Sequence, residues 1–177
     1  MKPESLLSPY RYCPVCGCGR FVESGVRSKR CEGCGFELFL NSSAAVAAFI
    51  VNRRGELLVC RRAKEPAKGT LDLPGGFVDP GESAEQALAR ELSEELGCLP
   101  ARAHYLFSLP NRYRWGPVVV PTTDLFFRAS LAEEAALRPH DDVAALRWIP
   151  LADVRPQEFG LQSISEAVAL FLADAQK

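Results

Sequence analysis

Three glutamates in the segment Gly76–Cys98, namely Glu91, Glu94 and Glu95, have the spacing that places them within one turn of a helix. At about 100° per residue they share an arc of roughly 100° beside the apolar residues of that helix. Repulsion and lost hydration make such a group of ionised carboxylates unfavourable without a compensating cation. Hard divalent cations, Mg²⁺ above all, prefer carboxylate oxygens at this density, so the spacing predicts a metal site. The alternative is a salt-bridged surface helix.

The residues around the glutamates predict how the helix is placed. Ser83 and Gln86 form the S-x-x-Q pattern of a capping box, and Gly97 is expected to end the helix. The Pro/Gly-rich segment before it can offer free carbonyls to a cation and free amides to a phosphate. Arg90 suits Glu82, at the helix entrance, as an ion pair that supports the metal site.

The segment from Gly76 to Cys98 resembles the Nudix box, G-x5-E-x7-R-E-U-x-E-E-x-G-U, in which U is a bulky apolar residue. Every fixed position matches, and Cys98 at the last U is a smaller apolar residue. The resemblance covers residues 44–177. It implies a Mg²⁺- or Mn²⁺-dependent hydrolase of a nucleoside diphosphate linked to another moiety.

The resemblance also implies roles for individual residues. Glu91, Glu94 and Glu95 match the metal-binding acids of the family, and the Gly76 carbonyl matches its backbone ligand. Glu82 and Arg90 match the pair that orients these acids. The general base is then either a glutamate of the box or an acid on a distant loop, for which the candidates are Asp141 and Asp142.

Five of the seven cysteines lie near the N-terminus, and four of them have the spacing of a zinc site. These four form the pattern Cys13-x2-Cys16 followed by Cys31-x2-Cys34, which is typical of tetrahedral thiolate coordination. Gly17 and Gly35 follow the two pairs and permit the positive φ of a metal knuckle. We therefore expect a structural Zn²⁺ in a ribbon at residues 1–40, ahead of a Nudix hydrolase domain at residues 41–177. Cys18 is interpreted as a bystander.

Apolar segments of strand length alternate with helical ones in the rest of the chain. Residues 44–52 and 56–63 are predicted to form a hairpin through a turn at Asn52–Gly55. Strands are predicted at 101–110, 118–129 and within 143–154, with a loop at 111–117 and an amphipathic helix at 163–176. The predicted class is α/β, a Nudix-type α/β/α sandwich with a mixed sheet, preceded by the small zinc ribbon.

A four-cysteine ribbon ahead of a Nudix domain resembles the NADH pyrophosphatases. Those enzymes carry S-Q-P-W-P-F-P-x-S after the box, whereas this chain has SLPNRYRWGP, in which only Ser108, Pro110 and Tyr113 correspond. The resemblance predicts a substrate of NADH, NAD or ADP-ribose type, with release of AMP. The alternatives are another Nudix substrate such as a nucleoside triphosphate, or a nucleotide-sensing or nucleic-acid-binding regulator.

Candidate substrate-binding residues lie in two segments. Arg112, Tyr113, Arg114 and Trp115 suit base stacking and phosphate binding, although a dimer interface or a plain exposed loop would also explain them. Arg61 and Arg62, at a strand end, are candidates for the substrate phosphates, with solvated surface charges as the alternative.

The charge and hydropathy of the chain limit the classes of partner that it is expected to bind. The chain has 21 Lys and Arg against 22 Asp and Glu, so no basic excess attracts nucleic acid, and a nucleic-acid partner is not expected. No segment has the roughly 20 apolar residues of a membrane span, and the N-terminus lacks the apolar run of a signal peptide. A cytoplasmic location and a homodimer are further expectations.

Overall fold

The computed structural model describes residues 5–131, 137 and 143–175. Its contacts divide the chain into two compact units. The first unit comprises Met1–Ser42 and Arg112–Pro121, and the second comprises Ser43–Asn111 and Thr122–Lys177.

The first unit contains a three-stranded antiparallel sheet, with β1 at Phe21–Gly25, β2 at Ser28–Cys31 and β3 at Glu37–Phe39. Its core is small and consists mainly of Cys13, Phe21 and Cys31. So few buried apolar side chains give this unit little hydrophobic stabilisation of its own.

Two further sheets and two helices carry most of the remaining chain. One sheet has the order β7-β4-β9-β8 and the other has the order β10-β5-β6. The strands are β4 (Ser43–Ile50), β5 (Glu56–Arg62), β6 (Leu71–Asp72), β7 (Gly75–Phe77), β8 (Pro100–Trp115), β9 (Val118–Leu131) and β10 (Val143–Pro150). The helices are α1 (Ala84–Leu96) and α2 (Gln162–Asp174), and short 3₁₀ turns occupy Leu151–Asp153 and Pro156–Glu158.

The four-stranded sheet is mixed, as predicted. Strand β4 runs antiparallel to β7 and parallel to β9, so that Ala45 lies opposite Phe77 on one side and Asp124 on the other. Parallel neighbours require a long crossover connection, which here includes β5 to β8 and α1.

The helices pack on opposite faces of the sheets. Successive side chains of a strand point to opposite faces, so the buried residues of β4 divide between two cores. Val46, Ala48 and Ile50 share one core with Leu88, Leu92 and Leu96 of α1. Ala47 and Phe49 share the other core with Ala167, Val168 and Phe171 of α2, and the rings of Phe49 and Phe171 stack with centroids 4.1 Å apart. The arrangement is the predicted α/β/α sandwich.

The predicted hairpin of residues 44–63 is only partly right. The turn forms, because the Gly55 amide donates to the Asn52 carbonyl and the Asn52 amide donates to the Glu56 carbonyl, each at 3.0 Å. The antiparallel bridge between Val51 and Leu57 follows directly. Beyond it β4 and β5 enter different sheets, so the prediction of a continuous hairpin was wrong.

The predicted loop at residues 111–117 was also wrong for most of its length. Residues 111–115 continue β8 to Trp115, and only Gly116 and Pro117 separate β8 from β9. Gly116 has a φ of 55°, which suits so short a turn. The polar residues at this position favour a loop, but β8 is hydrogen-bonded to β9 in the four-stranded sheet.

None of the helices in the described part of the chain combines the length and apolar character that a membrane span requires.

Candidate functional site

Helix α1 begins and ends where the sequence predicts. The Ser83 hydroxyl accepts from the Gln86 amide at 3.3 Å, and the Gln86 side chain accepts from the Ser83 amide at 2.8 Å, which completes the capping box. At the other end Gly97 has a φ of 72°, and its amide donates to the Ser93 carbonyl. These two caps set the rotation and length of the helix that carries the glutamates.

The three glutamates differ in burial because they lie at the margin of the apolar stripe of α1. Leu88, Leu92 and Leu96 are fully buried at intervals of four residues. Glu91 and Glu95 are also four residues apart, and each directly precedes one of these leucines. Glu95 is buried, at 9% exposure. Glu94 lies further out, with 46% of its side chain exposed. The acids therefore form a graded group from core to solvent.

Arg90 joins this group to the helix entrance. Its Nε donates to Glu82 Oε1 at 2.9 Å, and its Nη2 donates to Glu82 Oε2 at 3.0 Å and to the Phe77 carbonyl at 2.9 Å. Its Nη1 donates to Glu91 Oε1 at 2.9 Å and to Glu94 Oε2 at 3.2 Å. A guanidinium has five N–H donors, so this geometry gives each of them an acceptor.

The contacts of Arg90 shift the protonation of its neighbours. Hydrogen bonds from Arg90, followed by one from the Asp79 amide, lower the pKa of Glu82 below its ordinary value. The bonds to Glu82 are the main cause that raises the pKa of Arg90 itself. Burial raises the pKa of Glu91, although Arg90 opposes that shift. A nearby cation favours the ionised form of Glu91 and so opposes the effect of burial.

The backbone of β7 lies directly against two of the glutamates. The Gly75 amide donates to Glu95 Oε2 at 2.9 Å. A Cβ placed on Gly76 would lie 2.4 Å from Glu91 Oε1, which no side chain could tolerate without displacing the carboxylate. Three carboxylates and the main-chain oxygens of a glycine strand are oxygen donors of the kind that Mg²⁺ or Mn²⁺ takes. The donor chemistry of these residues therefore fits such an ion, although among the described residues it is the four cysteines, and not the three glutamates, whose ligand atoms all lie within 4.8 Å of one another.

The four predicted cysteines come together in the first unit. Their Sγ atoms all lie within 4.8 Å of one another, with 3.7 Å between Cys13 and Cys34 and 3.6 Å between Cys16 and Cys31. Tetrahedral zinc with bonds of about 2.3 Å would separate the sulfurs by about 3.8 Å. The geometry of the thiolates can accommodate zinc, and Cys18 lies outside the group of four.

Backbone amides support this cluster. Gly17 and Gly35 have φ values of 70° and 76°, as the sequence predicts for two knuckles. The amides of Cys34 and Gly33 donate to Cys31 Sγ, and these bonds lower the pKa of the Cys31 thiol to about 6. A thiolate at this position is the form that a metal ion binds.

Arg61 and Arg62, the candidates for phosphate binding, have protein partners. The Arg62 guanidinium contacts the Asp72 carboxylate and donates from Nε to the Pro66 carbonyl at 2.7 Å. Arg61 Nη1 donates to the Gly69 carbonyl. Their role toward a substrate stays a prediction.

The residues Arg112, Tyr113, Arg114 and Trp115 lie at the end of β8, in the first unit, whereas the glutamates belong to the second. The rings of Tyr113 and Trp115 are 6.2 Å apart and tilted by 32°, and Trp115 is 65% exposed. Their role in base stacking stays a prediction. Asp141 and Asp142, the candidate general bases, lie outside the described residues.

The sequence analysis did not identify a buried polar network on the α2 side of the second unit. The Asp124 carboxylate accepts from Thr122 Oγ1 at 2.6 Å, from Ser163 Oγ at 2.5 Å and from Asn111 Nδ2 at 3.0 Å. Asp124 is buried, at 6% exposure. The available signal in the sequence was Asp124, a single acid within the apolar segment TTDLFF. Since side chains alternate between the two faces of a strand, Asp124 lies on the opposite face from its immediate neighbours in the sequence.

Comparison with known proteins shows the family of the chain. A family model described as the NUDIX domain matches residues 41–170. The chain is 37% identical over 86 residues to the ADP-ribose pyrophosphatase of Methanocaldococcus jannaschii, covering 48% of this chain and 50% of that protein. It is 31% identical over 148 residues to the NAD-capped RNA hydrolase NudC of Deinococcus radiodurans, covering 82% of this chain and 50% of the relative. The chain thus spans half the length of each of these relatives.

Solved structures share the fold. A NUDIX hydrolase from Nitrosomonas europaea superposes with a TM-score of 0.71 at 20% identity, covering 94% of this chain and 92% of the other. The NUDIX domain of Shewanella oneidensis NrtR, in complex with ADP ribose, has a TM-score of 0.59 at 25% identity, covering 78% of this chain and 90% of the other. Since the family model matches well over half of the chain and the glutamate helix lies within the matched residues, the chain belongs to the NUDIX domain family.

Proposed function

We propose that this protein hydrolyses the pyrophosphate bond of a nucleoside diphosphate derivative of NADH, NAD or ADP-ribose type, releases AMP, and depends on Mg²⁺ or Mn²⁺. The observations that carry the proposal are the hydrogen bonds from Arg90 to Glu91 and Glu94 and the hydrogen bond from the Gly75 amide of β7 to Glu95. Relatives named ADP-ribose pyrophosphatase and NAD-capped RNA hydrolase support the substrate type.

The residues of the chain have separate tasks in this proposal. Glu91, Glu94 and Glu95, with the Gly76 carbonyl, would hold the metal, which screens the phosphate charge and acidifies a water molecule. Glu82 fixes Arg90 through two parallel hydrogen bonds, and Arg90 orients Glu91 and Glu94. The Gly75 amide holds the Glu95 carboxylate in place. A box glutamate, or Asp141 or Asp142, serves as the general base.

The N-terminal part of the first unit is proposed to be a zinc ribbon with a structural role. Cys13, Cys16, Cys31 and Cys34 would supply all four ligands, which leaves no open position for a reacting water. We further propose that the ribbon occupies residues 1–40 and the hydrolase domain residues 41–177. We also propose that the protein is cytoplasmic and forms a homodimer. We expect neither a nucleic-acid partner nor a membrane partner.

The base-binding part of the proposal rests on the segment 112–115. Tyr113 and Trp115 would stack an aromatic base, and Arg112 would bind phosphate. Arg61 and Arg62 of β5 are separate candidates for binding the substrate phosphates. The exposed face of Trp115 supports this assignment, because stacking requires an accessible ring.

A panel of substrates tests the activity. Purified protein is incubated with Mg²⁺ or Mn²⁺ and with NADH, NAD, ADP-ribose, NAD-capped RNA or a nucleoside triphosphate, and the products are identified by chromatography. We expect AMP together with reduced nicotinamide mononucleotide from NADH, or with ribose 5-phosphate from ADP-ribose. The Glu94→Gln variant serves as the matched inactive control. Preferred release of inorganic pyrophosphate from nucleoside triphosphates would reject the substrate class, and turnover unaffected by chelation would reject the metal site.

A further inference from the structure

Arg90 contacts two different sets of groups through different nitrogens. Nε and Nη2 make three hydrogen bonds to Glu82 and to the Phe77 carbonyl. Nη1 alone reaches the metal-binding candidates, through its bonds to Glu91 and Glu94. The guanidinium is therefore anchored on one side, and its other side pairs with the two carboxylates.

We propose that Nη1 of Arg90 is the resident counter-ion of Glu91 and Glu94 in the metal-free protein and competes with the divalent cation for these two carboxylates. The inference rests on the proposed metal site. It assigns to Arg90 a second property besides orientation, because a residue that pairs with the metal ligands lowers their affinity for the metal.

The geometry of the two sides explains how such an exchange can occur without losing the arginine. A bidentate bond to Glu82, 22% exposed, with a third bond to the Phe77 carbonyl, holds the guanidinium when Nη1 is released. The bond from Nη1 to Glu94, at 3.2 Å, is longer than the bond from Nη1 to Glu91, at 2.9 Å. Since Glu94 is 46% exposed, a water molecule can replace Nη1 as its hydrogen-bond partner. Glu95 takes its hydrogen bond from the Gly75 amide instead.

Charge gives the direction of the effect. Glu91 and Glu94 carry a formal charge of −2 when ionised, and Arg90 supplies +1 that is shared with Glu82 and with Asp79, whose Oδ2 lies 3.9 Å from Arg90 Nε. A divalent cation matches the two carboxylates more fully than the shared guanidinium does. Removal of Arg90 therefore leaves a more strongly anionic site with no internal competitor.

Metal affinity, measured without substrate, tests the proposal. Mn²⁺ binding is followed by the electron paramagnetic resonance signal of the free ion for the full chain and for Arg90→Met, since methionine keeps an apolar stem and a good helix former. We expect Arg90→Met to bind Mn²⁺ about tenfold more tightly, because two charge-assisted hydrogen bonds no longer oppose binding. Equal or weaker binding by this variant would overturn the proposal.

Two further variants separate competition from net charge. The double variant Glu82→Gln/Arg90→Met removes one charge of each sign, so its affinity should still exceed that of the unchanged protein. Arg54→Met removes an equal charge from the turn at Asn52–Gly55, where Arg54 pairs with Glu56, and should leave the affinity within twofold. If Arg54→Met raises the Mn²⁺ affinity as much as Arg90→Met does, or if the double variant shows no increase in affinity, the effect comes from net charge in general. Either result would overturn the proposal that Arg90 competes with the metal.

The unchanged protein provides an independent readout if Arg90→Met does not fold. Guanidinium nitrogen resonances of Arg90 are recorded by NMR during titration with Mg²⁺. We expect the Nη protons to exchange faster with water while the Nε proton stays protected by Glu82. Unaltered Nη signals at saturating Mg²⁺ would overturn the proposal and leave the proposed hydrolase function intact, whereas absence of any Mg²⁺ or Mn²⁺ binding would reject both.

Discussion

Glu95 Oε2 accepts a hydrogen bond of 2.9 Å from the amide of Gly75, which joins the last turn of α1 to the first residue of β7. Gly75 has a φ of 144°, and a Cβ at this position would lie 2.1 Å from the Val46 carbonyl oxygen of β4. The bond therefore links the glutamate helix to the edge of the mixed sheet at a position that only glycine can occupy.

Substitution of Glu95 should separate stability from activity. Glu95→Gln keeps a side-chain oxygen that can accept from Gly75, so the fold should remain, while kcat falls at least ~100-fold through loss of a charged metal ligand. Glu95→Ala leaves the Gly75 amide without its acceptor and should also cost ~1–3 kcal/mol of unfolding free energy. Steady-state kinetics and denaturant unfolding check the pair. Near-normal turnover by Glu95→Gln would contradict the metal assignment.

Glu94→Gln should reduce kcat to a similar extent with little effect on stability. Its side chain is the most exposed of the three, and its bond to Arg90 is the longest. The melting temperature without metal should stay level or rise, because the substitution relieves repulsion with Glu91. A large fall in that temperature would instead favour a purely structural salt bridge.

Gly76→Ala should displace Glu91. The new Cβ would stand 2.4 Å from Glu91 Oε1, so the carboxylate must move away from β7. We expect roughly tenfold weaker Mn²⁺ binding and a loss of up to about 1–3 kcal/mol in stability. In Gly76→Ala/Glu91→Ala the stability should recover because the clash is gone, whereas the metal affinity should not. Equal stability of Gly76→Ala and the unchanged protein, with normal metal affinity, would argue against a close fit.

The zinc prediction is tested by comparing two cysteines. Protein purified without chelator should hold one Zn²⁺ per chain, and Cys31→Ser should lose it together with the fold of the ribbon, since metal binding contributes folding free energy. Cys18→Ser is the matched control and should retain the metal, because Cys18 lies outside the group of four thiols. Elemental analysis and thermal unfolding provide the readouts. Zinc retained at one equivalent by Cys31→Ser would refute the ligand set.

Metal binding and folding should respond to acid in different pH ranges. Burial raises the pKa of Glu91 above its ordinary value of 4.5, so this carboxylate takes up a proton, and metal affinity declines, already above pH 4.5. Bonds from Arg90 lower the pKa of Glu82 below 4.5, so the stability it contributes is present above pH 4.5 and is lost only as the pH falls through the lowered value.

Mn²⁺ affinity and the metal-free melting temperature, each followed from pH 7 to pH 3, check this order. The affinity should decline first, and the melting temperature should fall at lower pH. Glu82→Gln should flatten part of the low-pH fall in melting temperature. Loss of both properties over one common range would contradict the separate assignments.

Trp115→Ala should weaken substrate binding. Stacking on a base is worth ~1–3 kcal/mol, so KM should rise roughly tenfold or more while kcat stays within a few-fold. Since Trp115 is 65% exposed, the fold should be preserved. Tyr12→Ala, at an equally exposed aromatic of the same unit, is the control and should leave KM unchanged. A fall in kcat at constant KM would place Trp115 outside the base pocket.

Features that depend on short spacing could be predicted from the amino-acid sequence. The capping box at Ser83 and Gln86, the helix end at Gly97 and the interval between Glu91 and Glu95 follow from local helix geometry. The two Cys-x-x-Cys knuckles and their glycines are equally local. Within such segments the backbone pattern alone places the side chains relative to one another.

The pairing of the strands and the contacts of the charged groups could not be predicted from the sequence, because they depend on the tertiary fold. Strands β4 and β5 leave the turn at Asn52–Gly55 for different sheets, and β4 gains β9 as a parallel neighbour from far along the chain. Arg90 shares its hydrogen bonds between Glu82 and the proposed metal ligands, and the Gly75 amide bonds to Glu95. Both arrangements depend on how β7 meets α1. Such contacts join segments that are distant in sequence, so burial of the two cores selects them rather than any local periodicity.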